Sequence, residues 1–96
     1  MYFVYILSNK YHTVFYTGVT NDIARRTFEH KTGYYKKAFS KMYNCHKLLY
    51  FEEWTTWKEA SGREAELKRF RREWKLQLIK RLNPGLKDLS EDWGAP

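Results

Sequence analysis

The sequence predicts one small domain of mixed α and β structure over residues 1–96, with its elements in the order β-β-α-β-α-α. Three observations lead to this fold class. Short aromatic and β-branched runs alternate with segments of helical period. A chain of 96 residues has room for only one modest hydrophobic core. Apolar residues make up 43% of the chain and charged residues 30%, which is a globular rather than a disordered composition.

Two strands are expected at the beginning of the chain. They cover residues 2–8 and 14–19, which are rich in aromatic and β-branched side chains. If the turn between them centres on Lys10-Tyr11, Tyr5 lies directly opposite Tyr16 on one face of the sheet. This pairing depends on the register, because a slip of one residue would move Tyr16 to the other face.

A helix is expected over residues 22–30, with its N-cap within Thr20-Asn21-Asp22. Arg26 and His30, four residues apart, lie on one side of this helix. The adjoining core-facing stripe consists of Ile23, Ala24, Thr27 and Phe28. Residues 31–46 have no clear period and are interpreted as a loop, and residues 47–51 as a third strand.

A second helical pattern begins at the capping box Thr56-Trp57-Lys58-Glu59 and continues to about residue 82. Its apolar stripe drifts over this length, so we expect a bend or break near residues 70–73. Asn83-Pro84-Gly85 ends the pattern, because proline cannot continue a helix. The apolar residues of the segment 86–93 are expected to pack back on the domain.

The charge of the chain restricts its partners. Lys and Arg number 18 against 11 Asp and Glu, a net charge of +7. This favours a polyanion, either nucleic acid or an anionic membrane surface, although a solvated basic surface explains the charge equally well. No apolar run is long enough to span a bilayer, and the first residues do not resemble a signal peptide. The single cysteine, Cys45, excludes an internal disulfide, so a cytoplasmic location is expected.

Glu64 is a candidate for metal binding. On the helical wheel it lies at the edge of the apolar stripe, between Ala60 and Leu67. A carboxylate in that position is either paired with Lys68, four residues further on, or bound to a hard cation such as Mg²⁺. The sequence leaves both interpretations open.

Four further residues have both a chemical and a structural interpretation. Arg26 and His30 are either a solvated basic face or a phosphate clamp with a proton-transfer group. Tyr5 and Tyr16 are either half-buried sheet aromatics or members of a site. Zinc, nucleophilic cysteine and Gly-rich nucleotide-binding sites are all disfavoured by the residue spacing.

These residues also occur in a characteristic order. Val4-Tyr5-Ile6 and Tyr16-Thr17-Gly18 resemble the paired tyrosine motif of the GIY-YIG nuclease superfamily, although Phe3 occupies its glycine position and Thr17 replaces isoleucine. Arg26 is similar to the catalytic arginine of that family, and His30 falls where its members often have histidine or tyrosine. The segment 60–68 resembles the one that carries the metal-binding glutamate, which places this role on Glu64.

The resemblance implies a small, mainly antiparallel three-stranded sheet flanked by helices. It also implies hydrolysis of DNA phosphodiester bonds with one Mg²⁺ or Mn²⁺ ion, and it leaves RNA open as a substrate. Glu64 would hold the metal, Arg26 would stabilise the transition state, and Tyr5 would position or deprotonate the attacking water. His30 would relay a proton and Tyr16 would hold water or phosphate. The supporting residues are Gly18 and Asn83.

The expected partner is nucleic acid, with no role for a membrane. Contacts to the nucleic-acid backbone are expected from five lysines: Lys31, Lys36, Lys37, Lys41 and Lys68. A domain of this size has little room for a recognition module, so strong sequence specificity would require a partner protein. Two alternatives remain open. One is a nucleic-acid-binding module of the same fold without catalysis, and the other is a protein-interaction domain that uses the aromatic and basic C-terminal helix.

Overall fold

Six regular elements make up the described part of the chain. The computed structural model describes residues 1–32 and 44–93. The elements are β1 (Tyr2–Ser8), β2 (Phe15–Thr20), α1 (Ile23–Thr32), β3 (Lys47–Trp54), α2 (Trp57–Lys68) and α3 (Arg72–Leu82). The predicted order β-β-α-β-α-α is confirmed. None of the helices in these residues has both the length and the apolar character that crossing a bilayer requires.

The strands form one antiparallel sheet in the order β2-β1-β3. The central strand β1 is covered on both faces, and its residues 4–8 are all buried. A strand buried on both faces needs apolar side chains at successive positions, which explains the continuous apolar run at the beginning of the sequence. The predicted three-stranded antiparallel sheet is therefore confirmed.

The register between β1 and β2 differs from the predicted one, because Tyr5 pairs with Gly18 rather than with Tyr16. The connection over residues 9–14 is wider than the predicted turn. It is held by the side-chain carbonyl of Asn9, which accepts hydrogen bonds of 2.9 and 3.2 Å from two backbone N–H groups just before β2. A shift of two positions leaves every side chain on its original face, so Tyr5 and Tyr16 still share one face.

The helices cover the two faces of the sheet unequally. α1 packs on one face, where Ile23 belongs to the same apolar cluster as Tyr5. α2 and α3 pack on the other face, through Leu67 against Val4 and through Ile79. Because Tyr5 and Val4 are neighbours on β1, their side chains point to opposite faces. Of the three helices in the described residues, α1 alone therefore lies above the Tyr5 face.

The buried side of α1 differs from the predicted stripe. Ile23, Thr27 and His30 are buried, whereas the Phe28 side chain is 41% exposed. The carboxylate of Asp22 accepts a hydrogen bond of 3.1 Å from the Arg25 backbone N–H and caps the helix. The buried residues follow the spacing i, i+4 and i+7 from Ile23, which turns His30 rather than Phe28 toward the sheet. The expectation that Phe28 faces the core is wrong.

The long C-terminal helical pattern is divided into α2 and α3, with residues 69–71 between them. The break confirms the bend expected near residues 70–73. The expected N-cap at Thr56 is also confirmed. Thr56 Oγ1 accepts a hydrogen bond of 3.2 Å from the backbone N–H of Glu59 and donates one of 2.9 Å to the Glu59 carboxylate.

The segment after α3 returns to β3. The backbone N–H of Leu89 donates a hydrogen bond of 2.8 Å to the carbonyl of Leu48. The Trp93 ring packs edge-on against Phe51, with 5.9 Å between the ring centroids. The predicted packing of this segment is confirmed for Leu86, which lies against the cluster around Ile79, and in part for Trp93, whereas Leu89 is exposed.

Candidate active site

The Tyr5 hydroxyl and the His30 imidazole form the centre of the site. β1 carries Tyr5 in the middle of the sheet, and the last turn of α1 brings His30 over the same face. The hydroxyl oxygen lies 3.2 Å from His30 Nε2, and both residues are buried. When the imidazole carries its proton on Nδ1, the hydroxyl donates this hydrogen bond. The pair can therefore pass a proton from the tyrosine to the histidine.

Tyr16 adds a third ring to this cluster. Its ring centroid lies 6.3 Å from that of Tyr5 and 5.3 Å from that of His30. The predicted proximity of Tyr5 and Tyr16 thus survives the change of register. Since Tyr16 is half-buried and Tyr5 is fully buried, the cluster extends from the core toward the surface on the β2 side.

Gly18 makes room for the Tyr5 ring. A Cβ atom added at Gly18 would lie 2.5 Å from both Cζ and the hydroxyl oxygen of Tyr5. Real Cβ atoms do not approach other heavy atoms so closely, so a larger residue at this position would displace the ring. The glycine of the Tyr-x-Gly motif therefore has a steric role, which is to let the tyrosine of β1 lie across β2.

Gly18→Ala is expected to destabilise the fold by about 1–3 kcal/mol through overpacking, and to disturb the hydrogen bond between Tyr5 and His30. Gly62→Ala is the matched control, because a Cβ at Gly62 would have no neighbour within 4 Å. In the interior of α2 it should stabilise the protein by about 0.4–1 kcal/mol. Urea unfolding of both variants measures the difference. Equal stability of the two would show that the close approach at Gly18 imposes no constraint.

Burial raises the pKa of the Tyr5 hydroxyl above its ordinary value. The neighbouring Tyr16 and Glu64 raise it further, and the Arg26 guanidinium opposes them through its charge and a hydrogen bond. α1 and α2 therefore each bring one charged group, Arg26 and Glu64 respectively, close enough to act on the same hydroxyl. At neutral pH Tyr5 is a phenol, which needs an acceptor before it can take a proton from water.

Burial lowers the pKa of His30 to about 4, and the positive charge of Arg26 contributes in the same direction. Glu29 opposes this shift, and His46 adds to it. At neutral pH the imidazole is uncharged, and Nε2 can accept the Tyr5 proton. The buried, neutral histidine is thus suited to the relay that the family resemblance implies for it.

The His30 pKa predicts a pH dependence of stability. Its value of about 4 in the folded protein lies below the ordinary 6.5 of the unfolded chain, so the unfolded state binds more protons between these values. Stability should therefore fall as the pH is lowered from 6.5 toward 4, by up to about 3 kcal/mol for this group. Urea unfolding across this range should show a flatter profile for His30→Gln. Parallel profiles for the two proteins would contradict the prediction.

The Arg26 guanidinium is held by a carboxylate of its own helix. Its Nε lies 3.4 Å from Oε1 of Glu29, and its side chain is 34% exposed. Glu29 also lies 3.6 Å from Nε of Arg25. Arg26 is therefore oriented from α1 and remains accessible to an anion, which is the geometry that a phosphate clamp requires.

The Glu64 carboxylate offers the kind of oxygen ligand that a hard cation prefers. It lies 3.6 Å from Lys68 Nζ, and its side chain is 21% exposed. Within residues 1–32 and 44–93, no three His, Cys, Asp or Glu side chains are grouped closely enough to hold a metal ion. Mg²⁺ is commonly held by one or two carboxylates together with water and substrate phosphate, whereas zinc requires three or four protein ligands. A single accessible glutamate therefore fits Mg²⁺ or Mn²⁺.

Asn83 is placed apart from these side chains. It is buried at the end of α3, where its Nδ2 donates hydrogen bonds of 3.0 Å to the Leu49 carbonyl and 2.8 Å to the Lys87 carbonyl. Its side-chain oxygen accepts a hydrogen bond of 3.1 Å from the Lys87 backbone N–H. These bonds join α3, β3 and the C-terminal segment, so the support that Asn83 gives is to the framework of the domain.

The predicted lysines have different surroundings. Lys31 Nζ lies 2.6 Å from the Asp88 carboxylate, and Lys68 faces Glu64 on α2. The other three, Lys36, Lys37 and Lys41, lie outside the described residues. Their contacts with nucleic acid therefore stay a prediction.

Two residues near the site were missed in the sequence. Glu29 orients Arg26, and its position three residues further along the same helix was a readable signal for an ion pair. His46 lies close enough for its charge to act on His30. It precedes β3, far from His30 in the sequence, and no local pattern indicates this proximity.

Comparison with known proteins identifies the family. The model of the GIY-YIG catalytic domain matches residues 1–77, which include every side chain of the cluster around Tyr5. The chain belongs to the GIY-YIG family. Members of this family are typically nucleases, and the three-stranded antiparallel sheet with its flanking helices is consistent with the family fold.

Relatives of this GIY-YIG chain occur in several bacteria. A UPF0213 protein of Clostridium perfringens is 39% identical over 79 residues, which are 82% of this chain and 83% of the relative. A UPF0213 protein of Syntrophus aciditrophicus is 39% identical over 82 residues, 85% of this chain and 92% of the relative. One from Staphylococcus saprophyticus is 37% identical over 78 residues, 81% and 93% of the two chains. No solved structure matches the chain.

Proposed function

We propose that this GIY-YIG protein is an endonuclease that hydrolyses phosphodiester bonds in DNA with one Mg²⁺ or Mn²⁺ ion. The observation that carries the proposal is the 3.2 Å hydrogen bond between the Tyr5 hydroxyl and His30 beside the Tyr16 ring, with Arg26 and Glu64 close enough for their charges to act on that hydroxyl. The net charge of +7 suits a polyanionic substrate. The single cysteine supports a cytoplasmic setting for the reaction, and strong sequence specificity is expected to need a partner protein.

Arg26 is assigned to the scissile phosphate. Its guanidinium is oriented by Glu29 and partly exposed, so it can donate two hydrogen bonds to phosphate oxygens. Negative charge grows on these oxygens as water attacks the phosphorus atom, and a preorganised cation stabilises that charge more strongly in the transition state than in the ground state.

Tyr5 is assigned to the attacking water. As a buried phenol it can accept a water proton on its oxygen while it donates its own proton to His30 Nε2, 3.2 Å away. A neutral histidine is required for this transfer, and the lowered pKa of His30 provides it. Tyr16, next to both rings, would hold the water or a phosphate oxygen by its hydroxyl.

Glu64 is assigned to the divalent metal ion. When bound, the ion supplies positive charge to the phosphate and to the departing 3′ oxygen. α2 packs on the opposite face of the sheet from α1, but Tyr5 lies across the edge strand β2, so Glu64 of α2 and Arg26 of α1 both act on its hydroxyl. The two charged groups would thus meet the phosphate from different elements.

The test is a cleavage screen of the purified protein on single-stranded, duplex, flap and branched DNA, and on RNA, with Mg²⁺ or Mn²⁺. Metal-dependent cleavage of at least one substrate, lost on addition of a chelator, is the expected result. Binding of nucleic acid without cleavage of any substrate would favour the binding-module alternative. Binding of neither would leave the protein-interaction alternative.

Tyr5→Phe is expected to lower cleavage by about 10²–10⁴-fold, because it removes the hydroxyl that exchanges protons with water and His30. Tyr2→Phe is the matched control. Tyr2 lies on the same strand but packs edge-on against Trp57 on the opposite face, 5.7 Å between centroids. Single-turnover rates at saturating metal, with thermal unfolding of both variants, make the comparison. An unchanged rate for Tyr5→Phe would contradict the catalytic assignment and leave Tyr5 as a structural aromatic residue of the sheet.

A further inference from the structure

A basic groove lies at the end of the sheet beside the site. It has a volume of about 900 Å³ and lies between the β1–β2 connection, the beginning of β3 and the segment after α3. We call it the lysine groove, and its defining residues are Lys10, Tyr11, Lys31, His46, Lys47 and Lys87. A cavity of this size matches the upper part of the range for bound organic ligands.

The positive charge of the lysine groove exceeds its negative charge. Its four lysines face two acids, Asp88 and Glu91. Asp88 is engaged internally, since it pairs with Lys31 at 2.6 Å and accepts a hydrogen bond of 3.1 Å from the Leu48 backbone N–H. With that pair set aside, Lys10, Lys47 and Lys87 face Glu91, and of these lysines Lys10 and Lys87 are exposed.

Lys47 is held in the groove as a hydrogen-bond donor. Its ammonium lies 2.9 Å from His12 Nε2. Burial lowers the pKa of His12, and the positive charge of Lys47 contributes, so His12 is neutral and accepts the bond. The arrangement fixes the direction of one ammonium group at the beginning of β3.

Tyr11 supplies an aromatic surface at the edge of the groove. Its side chain is 71% exposed, and Lys10 Nζ lies 5.0 Å from the centroid of its ring. An exposed aromatic ring next to ammonium groups is the combination that binds an unpaired base together with its phosphates. A base within a duplex has no free face to stack on such a ring.

The lysine groove adjoins the catalytic cluster. His46 lines the groove and is also close enough to act on His30 through its charge. Lys31, another lining residue, follows His30 directly in α1. The groove therefore begins next to His30, and a strand whose scissile phosphate is held at Arg26, one helical turn before His30 on α1, can continue into it.

We propose that the lysine groove binds a single-stranded segment of the nucleic-acid substrate next to the cleavage site, with phosphates on the lysines and one base on Tyr11. This inference rests on the proposed nuclease function and adds a substrate class to it. The preferred substrates would then contain unpaired nucleotides beside the scissile bond, as at a flap or an overhang.

The test measures binding in the presence of a chelator, where cleavage cannot interfere. The probes are a fluorescent oligothymidylate and a blunt duplex of the same length. Tyr11→Ala should weaken binding of the single strand by about tenfold and change duplex binding little, while Tyr11→Phe should retain binding because it keeps the ring. Lys87→Glu should reduce the salt dependence of single-strand binding by about one phosphate contact or more.

Lys80→Glu is the control for the charge change, because Lys80 is exposed on α3 away from the groove. Equal losses for Lys87→Glu and Lys80→Glu, or equal losses for single strand and duplex in Tyr11→Ala, would overturn the proposal. Competition by thymidine monophosphate or inorganic phosphate, as effective as competition by the oligonucleotide, would also overturn it by indicating a site for small anions.

The failure of this inference can be distinguished from the failure of the nuclease proposal. If the protein cleaves DNA and the groove variants bind and cleave like the parent, the groove proposal alone is wrong. If no cleavage occurs and the groove variants still lose single-strand binding, the groove proposal stands and the catalytic assignment is wrong.

Discussion

Glu64→Gln is expected to lower the rate of metal-dependent cleavage by about 100-fold or more. Binding of DNA without metal should persist or become tighter. The substitution keeps the size and hydrogen-bonding capacity of the side chain but removes the negative oxygen that a divalent cation requires. Binding should not weaken, because one acidic group beside the phosphate path is lost. The measurements are the cleavage rate against Mg²⁺ concentration and the DNA affinity in a chelator.

Glu66→Gln is the matched control on the same helix. The Glu66 carboxylate is an ion-pair partner of Arg63, which also holds Glu52 of β3, and its side chain is 53% exposed. Loss of such an exposed pair costs about 1 kcal/mol or less, so the fold and the cleavage rate should change little. The control therefore reports on charge removed from α2 outside the Tyr5 cluster.

The alternative role of Glu64 gives a different result. The ion pair with Lys68, at 3.6 Å, is present in the structure, so it is a real competitor of the metal-ligand interpretation. If that pair were the whole role, Glu64→Gln would cost a few tenths of a kcal/mol in stability and leave cleavage unchanged. Similar behaviour of the Glu64 and Glu66 variants would thus contradict the assignment of Glu64 as a metal ligand and would favour a binding module without catalysis.

The order of the elements was predictable because it depends on local patterns. The apolar run of β1, the capping box at Thr56 and the drifting stripe before α3 are each read within a few turns or a single strand. The secondary structure that each of these patterns predicts does not depend on tertiary packing. The break at residues 69–71 illustrates this, since the helical period alone required it near that point.

The register of the β1–β2 pair was not predictable in the same way. It depends on the connection 9–14, where the Asn9 side chain holds a wider loop than the sequence suggested. Because the error was two positions, the shared face of Tyr5 and Tyr16 was nevertheless correct. The steric role of Gly18 became visible only with the true register, which places it opposite Tyr5.

The pKa shifts of the site residues could not be predicted from the sequence. The ordinary pKa values of Tyr5 and His30 change because both side chains are buried between β1 and α1. That burial depends on the rotation of α1, which turns His30 inward and Phe28 outward. The family resemblance implied a proton relay, but which group is neutral follows only from packing.

Arg26→Ala is expected to lower cleavage by about 10³-fold or more while the protein remains folded. Apart from the metal ion, the guanidinium is the only charged group assigned to the phosphate oxygens on which negative charge develops. The structural cost is small, since the ion pair with Glu29 spans one helical turn and such pairs contribute only a few tenths of a kcal/mol. Single-turnover cleavage rates and urea unfolding of the same preparation separate the two effects.

Arg25→Ala is the control for Arg26, because Arg25 precedes it in α1 and lies 3.6 Å from the same Glu29 carboxylate, but its side chain is 69% exposed. It removes an equal charge from the same helix, so a loss caused by weaker general attraction for DNA would appear in both variants. Arg26→Lys should remain nearly as poor as Arg26→Ala, because an ammonium cannot offer the planar pair of donors. Equal rates for the Arg25 and Arg26 variants would place Arg26 with the solvated basic residues of α1. A loss confined to Arg26, and not restored by lysine, indicates a directed contact of the guanidinium, either with the reacting phosphate or with the Tyr5 hydroxyl.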